Sequence, residues 1–546
     1  MKKKVAIGVL LIGLVGVSFT PPAERYFEIA KNLEIFASLF KEINTLYVDE
    51  VNPNQMIRTG IDAMLNSLDP YTNYISEDEI EDYRTQNTGQ YGGIGALTRQ
   101  FANRTVVTMV YEGFPAFKNG LRIGDEILKL DDVELSKLTP EEAEHLMRGQ
   151  LGTSVKLTVK RFGEAKPLVL EFKREKIKIN HVPYFGMLDS EVGYVQLTEF
   201  TQEVGRDVKQ AIVSLKEKGA KSLILDLRDN PGGLLMEAVN ICNLFVAKEK
   251  EIVTTKGKIA ERNVVYRTLN SPLDLDLPVV VLINRGSASA SEIVAGTLQD
   301  YDRAVILGER SYGKGLVQEP RPLSYNAQVK ITTAKYYTPT GRCIQVLDYS
   351  HRREDGSVGT IPDSIKKEFR TTKGRIVYDG GGIDPDIKIS SQPLPSIAIG
   401  LYNQGWIFDY ATEYTARHSS ISNARQFKLT DQEYNDFVGW IKSKPFSHEP
   451  LVTAELKALE EEAKRERYYD ELKPYLLQLQ SKLSDSRKND YGLFKDQIKE
   501  LLEREIIARY YFEAGATEAG FKYDDDVKEA TRLLHQPAEY KKILKL

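Results

Sequence analysis

The run from Pro278 to Ile283, Pro-Val-Val-Val-Leu-Ile, constrains the fold more than any other stretch. It is short, β-branched and apolar on both faces, the pattern of a strand buried on both sides of a sheet. Its neighbours alternate in type. Val192 to Leu197 and Ser222 to Leu227 read as strands, and Thr201 to Lys216 and Leu234 to Phe245 as helices. Ser291 to Leu298 carries Ile293, Val294 and Leu298 at helical spacing, and Ala304 to Leu307 is a further apolar run. This alternation predicts an α/β core.

The buried strand runs into Asn284-Arg285-Gly286-Ser287-Ala288-Ser289-Ala290-Ser291-Glu292. Gly286 and the small residues after it permit a tight strand-to-helix turn. A serine there sits at a helix N-terminus, where free N–H groups and the helix dipole favour a developing negative charge. By composition Ser287, Ser289 and Ser291 are equal rivals. A serine hydroxyl needs a base, and none of the six histidines lies in this stretch or in a recognisable triad motif. Lys314 stands between Gly313 and Gly315, on a short loop between two apolar strands. A lysine base must be neutral, which burial favours. Gln318, four residues on, is placed to hold its amine. The turn Asp226-Leu227-Arg228-Asp229-Asn230-Pro231-Gly232-Gly233 is either an ordinary loop or, facing Ser289, a source of backbone N–H donors at a helix start. Asp226 and Arg228 read as an ion pair holding that turn.

The chain has 546 residues and a net charge of −4, so nothing points to nucleic acid. Cys242 and Cys343 cannot make a disulfide framework, and no His- or Cys-rich spacing suggests a metal, so neither metal nor cofactor is expected. Met1-Lys2-Lys3-Lys4 and the apolar run Val5 to Phe19 have the layout of a secretory signal over residues 1–20. An uncleaved N-terminal anchor is the alternative, and would be the chain's only membrane attachment. Either reading places the protein in the periplasm or cell envelope.

Residues 21–87 read as helical, with Phe36, Leu39, Phe40, Ile43 and Leu46 at helical spacing and a second helix stopping at Leu68-Asp69-Pro70-Tyr71-Thr72. In residues 88–177, Tyr91-Gly92-Gly93-Ile94-Gly95-Ala96 resembles the carboxylate-binding loop of a PDZ domain. The backbone N–H groups of Gly93, Ile94, Gly95 and Ala96 are expected to form a nest for a peptide's terminal carboxylate. A strand over Thr105 to Tyr111 and the Gly120 to Leu128 turn and strand follow. A helix capped by Thr139, with Pro140 and Glu142, ends at Arg148-Gly149. Arg148 reads first as a cation compensating a helix dipole; the sharper reading has it touch the catalytic loop and couple tail binding to activity. Residues 178–395 form the core, and 396–546 a helical C-terminal domain. Its stripe of Phe494, Ile498, Leu501 and Leu502 reads as core.

Together, Ser-Ala-Ser-Ala-Ser-Glu and Gly-Lys-Gly-Leu-Val-Gln resemble the C-terminal processing (tail-specific) proteases, serine peptidases with a Ser/Lys dyad and a PDZ domain. Further landmarks follow the same order: Asp226 to Gly233, Lys335-Tyr336-Tyr337-Thr338-Pro339-Thr340-Gly341-Arg342 and Gly381 to Asp386. The resemblance implies a crotonase-like α/β protease core. It selects Ser289 as nucleophile and Lys314 as base, with Gln318 beside it. It assigns the oxyanion hole to Ala290 and to Gly232 or Gly233. The last two landmarks read as strand and turn elements finishing the core. The expected substrates are unfolded or flexible protein C-termini, and an activating adaptor and self-association are further expectations. A PDZ tail-binding scaffold or chaperone is the rival from another class. A crotonase-type lyase or hydrolase is a second, disfavoured because small thioesters present no chain end to a PDZ domain.

Overall fold

The computed structural model describes residues 22–353, 357–390 and 393–546. The N-terminal signal-like segment lies outside them. Contacts divide the chain into two compact units, one running to Tyr74 with Pro320–Ile331 and the other comprising Ile75–Glu319 with Thr332–Leu546. The first carries helix α1 (Pro22–Leu46) and helix α2 (Pro53–Asn66). Asn52 caps α2, accepting from the Asn54 and Gln55 N–H groups, and Pro53 occupies the first turn. Just beyond α2, the Asp69 carboxylate accepts the Tyr71 and Thr72 N–H groups at 2.8 Å each, which closes the predicted stop.

The second unit begins with α3 (Ile80–Thr88), ended by Gly89 in the left-handed region. The PDZ-like part follows. Strand β1 (Gln90–Gly93) pairs with β7 (Glu175–Lys178). Strands β2 (Ala96–Phe101), β3 (Arg104–Val110), β4 (Glu126–Leu130), β5 (Ser154–Lys160) and β6 (Leu168–Lys173) form a sheet in that order, leaving β2 at its edge. Helix α4 (Pro140–Met147) starts at the predicted Thr139–Glu142 capping box and packs beside β2. Ile94, Val107, Leu121, Ile127 and Leu157 are in its core.

The central sheet runs β8 (Phe185–Met187), β9 (Val192–Gln196), β10 (Ser222–Asp226), β11 (Val279–Ile283), β12 (Val305–Gly308), β13 (Ile387–Lys388). All neighbours are parallel except β8 with β9. Every residue of β10 and β11 is buried, as the unbroken apolar run required. Side chains alternate between two cores. Val279, Val281 and Ile283 face helices α5 (Val204–Glu217), α6 (Leu235–Phe245) and α7 (Ala290–Asp300). Val280 and Leu282 face the opposite way.

The C-terminal part contains α8 (Ser396–Asn403), α9 (Trp406–Arg417), α10 (Asp431–Lys442) and the long α11 (Lys495–Gly520). Their core holds Tyr410, Phe437, Ile498, Leu502 and Ile506, so the predicted apolar stripe is core. Phe408 of α9 meets Phe101 of β2 at 5.6 Å, and Arg104 pairs with Asp409 at 2.8 Å. After α11 come α12 (Asp525–Leu534) and α13 (Pro537–Leu544). Their Val527, Ala530, Leu533, Leu534 and Leu544 cover Val280 and Leu282 of β11. The second face of the central sheet is therefore closed by the C-terminal helices. Tyr540 completes it, its hydroxyl bonded to both the N–H and the C=O of Val279 at 3.0 Å.

Candidate active site

Strand β11 ends in the serine-rich loop, and the three serines do different work. Ser287 Oγ accepts the Asn284 N–H at 2.9 Å and donates to the Leu227 carbonyl at 2.7 Å. Ser291 Oγ donates to the Asn230 carbonyl at 2.9 Å. Both are fully buried, their hydroxyls committed to the neighbouring turn. Ser289 is only half-buried and caps α7 with φ 53° and ψ −112°, a left-handed conformation that non-glycine residues rarely adopt.

Glu292 anchors this turn. It is fully buried, and its Oε2 accepts the Ser289 N–H at 2.8 Å and the Lys314 N–H at 2.9 Å. Its Oε1 accepts Ser311 Oγ at 2.5 Å and the Gly313 N–H at 2.7 Å. One carboxylate thus joins the serine loop to the lysine loop. Burial pushes its pKa up to about 7, against the lowering effect of these four donors. Tyr336, also buried, makes the same connection from the other side: its hydroxyl bonds to the Lys314 carbonyl at 2.7 Å and the Ser289 carbonyl at 3.1 Å. Lys314 itself is half-buried. The glycines beside it are there for space. A Cβ on Gly313 would come within 2.0 Å of Val346, and one on Gly315 within 2.8 Å of the Gln345 N–H nitrogen. Gln318 is half-buried, and its Nε2 donates to Thr332 Oγ1 at 3.2 Å.

The turn after β10 lies against the serine loop. Gly232 has φ 104°, and a Cβ there would stand 2.8 Å from Ser289 Cβ and 2.9 Å from the Ala290 nitrogen. Gly233 packs on Phe200, whose carbonyl a Cβ would meet at 2.4 Å. Asn230, completely buried, ties the parts together. Its Nδ2 donates to the Leu197 carbonyl and its Oδ1 accepts the Gly232 N–H at 2.9 Å. Its carbonyl accepts the Ala288 N–H at 3.0 Å as well as Ser291 Oγ. Asp226 and Arg228 form the expected ion pair at 2.6 Å.

The residues around the PDZ loop occupy different settings. Ile94 is buried in the local core, its carbonyl taken by the Ala116 N–H, and Gly95 has φ 80°. Ala96 begins edge strand β2, and Gly93 ends β1. Arg148 caps the C-terminus of α4. Its guanidinium pairs with Asp82 of α3 at 2.7 Å and with Glu144, and lies over the Tyr91 ring at 5.1 Å. These partners sit on α3, α4 and β1.

Glu292, Tyr336 and Asn230 were not singled out from sequence. Glu292 had a legible signal, since Ser289-x-x-Glu292 has the spacing of a capping box. Tyr336 had none, because nothing local says which strand residue reaches a loop made elsewhere in the chain.

Residues 191–349 match the model of peptidase family S41, residues 92–172 that of a PDZ domain, and residues 397–534 that of a probable PDZ-protease C-terminal helical domain. A carboxy-terminal-processing protease of Bartonella bacilliformis is 40% identical over 342 residues, 62% of this chain and 76% of its own. A probable CtpA-like serine protease of Staphylococcus aureus is 30% identical over 427 residues, 77% of this chain and 84% of its own. Among solved structures, a photosystem II D1 C-terminal processing protease is 25% identical, with a TM-score of 0.35, matching 69% of this chain and 97% of that one. The family model and the two curated relatives favour the peptidase over the scaffold. The chain belongs to the carboxy-terminal-processing proteases of peptidase family S41, and is a serine-type processing peptidase with a PDZ domain and a C-terminal helical domain.

Proposed function

We propose that Ser289 is the nucleophile of this peptidase and Lys314 its general base. The observation that carries the reading is the shared Glu292 carboxylate, which takes the backbone N–H of both residues on one oxygen at 2.8 and 2.9 Å. The commitment of the Ser287 and Ser291 hydroxyls to Leu227 and Asn230 supports Ser289 over its neighbours.

Neutral Lys314 takes the Ser289 proton as Oγ attacks the peptide carbonyl. The tetrahedral oxyanion is held by the Ala290 N–H, which as the first helical residue has no intrahelical acceptor. Gly233 is the better second donor, because Gly232 already gives its N–H to Asn230. Protonated Lys314 then protonates the leaving amine, and water resolves the acyl-enzyme. Gln318, its amide nitrogen held by Thr332, leaves its carbonyl oxygen to accept from the lysine amine.

The substrates are unfolded protein C-termini. A tail adds as a strand to the edge of β2 beside α4, its carboxylate over the Gly93–Ala96 backbone. The basic start and apolar run at the N-terminus support work outside the cytoplasm, in the cell envelope. No helix among the described residues is long and apolar enough to cross a membrane.

The test pairs the protein with its Ser289→Ala form on an unfolded protein bearing a free apolar C-terminus, and on the same protein with an amidated or charged tail. Cleavage by the first form alone, favouring the free apolar tail, is expected. Equal cleavage by the Ser289→Ala form refutes the nucleophile, and indifference to the tail refutes the PDZ reading.

A further inference from the structure

Arg228 sits in the turn that carries Gly232 and Gly233, and two of its three acidic partners come from the C-terminal helices. Its Nε and Nη2 bond to the Asp226 carboxylate at 2.6–3.1 Å. Outward, Nη1 and Nη2 grip the two oxygens of Asp524 at 3.0 and 2.7 Å, and Nη1 also reaches Asp526 Oδ2 at 3.0 Å. Such paired geometry fixes the guanidinium plane as well as its charge. Asp524 is itself held, since it caps α12 by accepting the Val527 N–H at 3.1 Å. Helix α12 in turn is pinned to the sheet by Val527, Ala530 and Leu533.

The next residues show what this grip controls. Asp229 exchanges two hydrogen bonds with Asn284, both at 2.9 Å, and Asn230 holds Gly232, Ala288 and Ser291. The turn and the serine loop are therefore one hydrogen-bonded block. Arg228 is the point where that block is fastened to the C-terminal helical part. A cavity of about 290 Å³ borders it, lined also by Asp229, Asn284 and Arg504. Without Asp524 and Asp526 the outer N–H groups face that space, and the guanidinium keeps only its bonds to Asp226.

We propose that Asp524 and Asp526 are positioning residues for peptide hydrolysis: by clamping Arg228 from the C-terminal helices, they set the Asp229–Gly233 turn against Ser289. The helical part then completes the catalytic centre rather than decorating it. The proposal rests on the reading of that turn as an oxyanion donor.

The full-length protein is compared with Asp524→Asn, Asp526→Asn, the double variant, Arg228→Lys, and the triple combination. kcat and KM are measured on an unfolded protein with a free apolar tail, and tail-peptide affinity by fluorescence anisotropy. The double variant is expected to lose at least tenfold in kcat, with KM and tail affinity within twofold. The triple variant should fall less than twofold below Arg228→Lys alone, because all act through one guanidinium. Asp524→Glu, which keeps the charge, should outperform Asp524→Asn. A double variant with kcat within twofold of the parent overturns the proposal, as does a loss that multiplies with that of Arg228→Lys. If the double variant does not fold, hydrogen exchange of the 229–233 amides in the single variants decides: faster exchange supports the clamp, and unchanged exchange overturns it. Ser289→Ala runs alongside, so a failure of the nucleophile assignment shows as cleavage by that form and is not mistaken for a failure of the clamp.

Discussion

Glu292→Gln separates the role of this carboxylate in catalysis from its role in stability. The carboxylate accepts four hydrogen bonds, two on each oxygen. An amide offers one accepting oxygen and one NH₂, so one pair of donors must face hydrogens. The cheaper orientation turns the oxygen to the Ser289 and Lys314 N–H groups. The NH₂ then faces Ser311 Oγ, which can rotate to accept, and the Gly313 N–H, which cannot. One buried N–H is left unpaired, at a cost of about 1–3 kcal/mol. Against this, the variant no longer buries a charge. A carboxyl pushed from 4.5 to about 7 carries roughly 3 kcal/mol of penalty when ionised. The two nearly cancel, so thermal unfolding near pH 8 should move little. The catalytic effect does not cancel. Gly313 adjoins Lys314, and a displacement of about 1 Å at a catalytic group costs on the order of 100-fold, so kcat should fall by about that factor.

The pH dependence gives a second reading of the same variant. The folded pKa of Glu292 is raised, so its contribution to stability is fully present below about 4.5 and is lost as pH rises through about 7. Activity runs the other way, since the protonated acid cannot accept all four donors. In the parent, kcat should drop as pH falls through about 7 while stability gains from this group. Glu292→Gln should lose the part of the acidic limb centred near 7 and keep only the part set by protonation of Lys314. A variant whose kcat stays within threefold of the parent, or which keeps the limb unchanged, refutes the argument.

Three other outcomes follow from the geometry. Gly232→Ala places a methyl 2.8 Å from both the Ala288 carbonyl oxygen and Ser289 Cβ at φ 104°; it should lower kcat at least 100-fold, and destabilise by about 1–3 kcal/mol in a denaturant titration. Tyr336→Phe deletes the hydroxyl that bridges the Lys314 and Ser289 carbonyls; kcat should fall about 10-fold or more with tail affinity unchanged, which steady-state kinetics and anisotropy together would show. Arg148→Ala removes a partly exposed pair with Asp82, worth about 1 kcal/mol or less; turnover should stay within twofold, and a large loss would favour the reading that couples it to catalysis.

The central sheet was legible because its signal is local. A run such as Val279 to Ile283 has to be buried on both faces whatever surrounds it, and every residue in it is. What covers the second face was not legible. Helices α12 and α13 arrive from the end of the chain, and their apolar spacing says only that they pack on something. The Thr139 helix start, with its capping box, could likewise be read from a few residues. Ser289 and Lys314 stood out through a resemblance rather than through chemistry, since a glycine-flanked lysine is usually a surface turn. The strand Glu251–Gly257 lies in a stretch without clear periodicity, yet pairing Thr255 with Tyr336 is what delivers the tyrosine to the site. Arg228 showed its partner Asp226 two residues away, but Asp524 and Asp526 carried no sign that they belonged to it.

The backbone of Ser289 explains why one carboxylate serves both loops. A non-glycine residue at φ 53° and ψ −112° is held at a cost of about 1–3 kcal/mol, and persists only where its surroundings over-determine it. Here the Glu292 carboxylate fixes its N–H, and Tyr336 its carbonyl. The turn that exposes Ser289 is therefore sustained by the same two groups that bind Lys314 through its N–H and carbonyl. Separate anchors would let the lysine loop loosen while the serine stayed poised. Shared anchors remove that state: losing the lysine loop strips support from the strained serine, which relaxes toward an ordinary helix cap. The proposed nucleophile and base are thus assembled or dismantled together, and on that proposal a partly formed site holds neither an exposed serine nor a placed base.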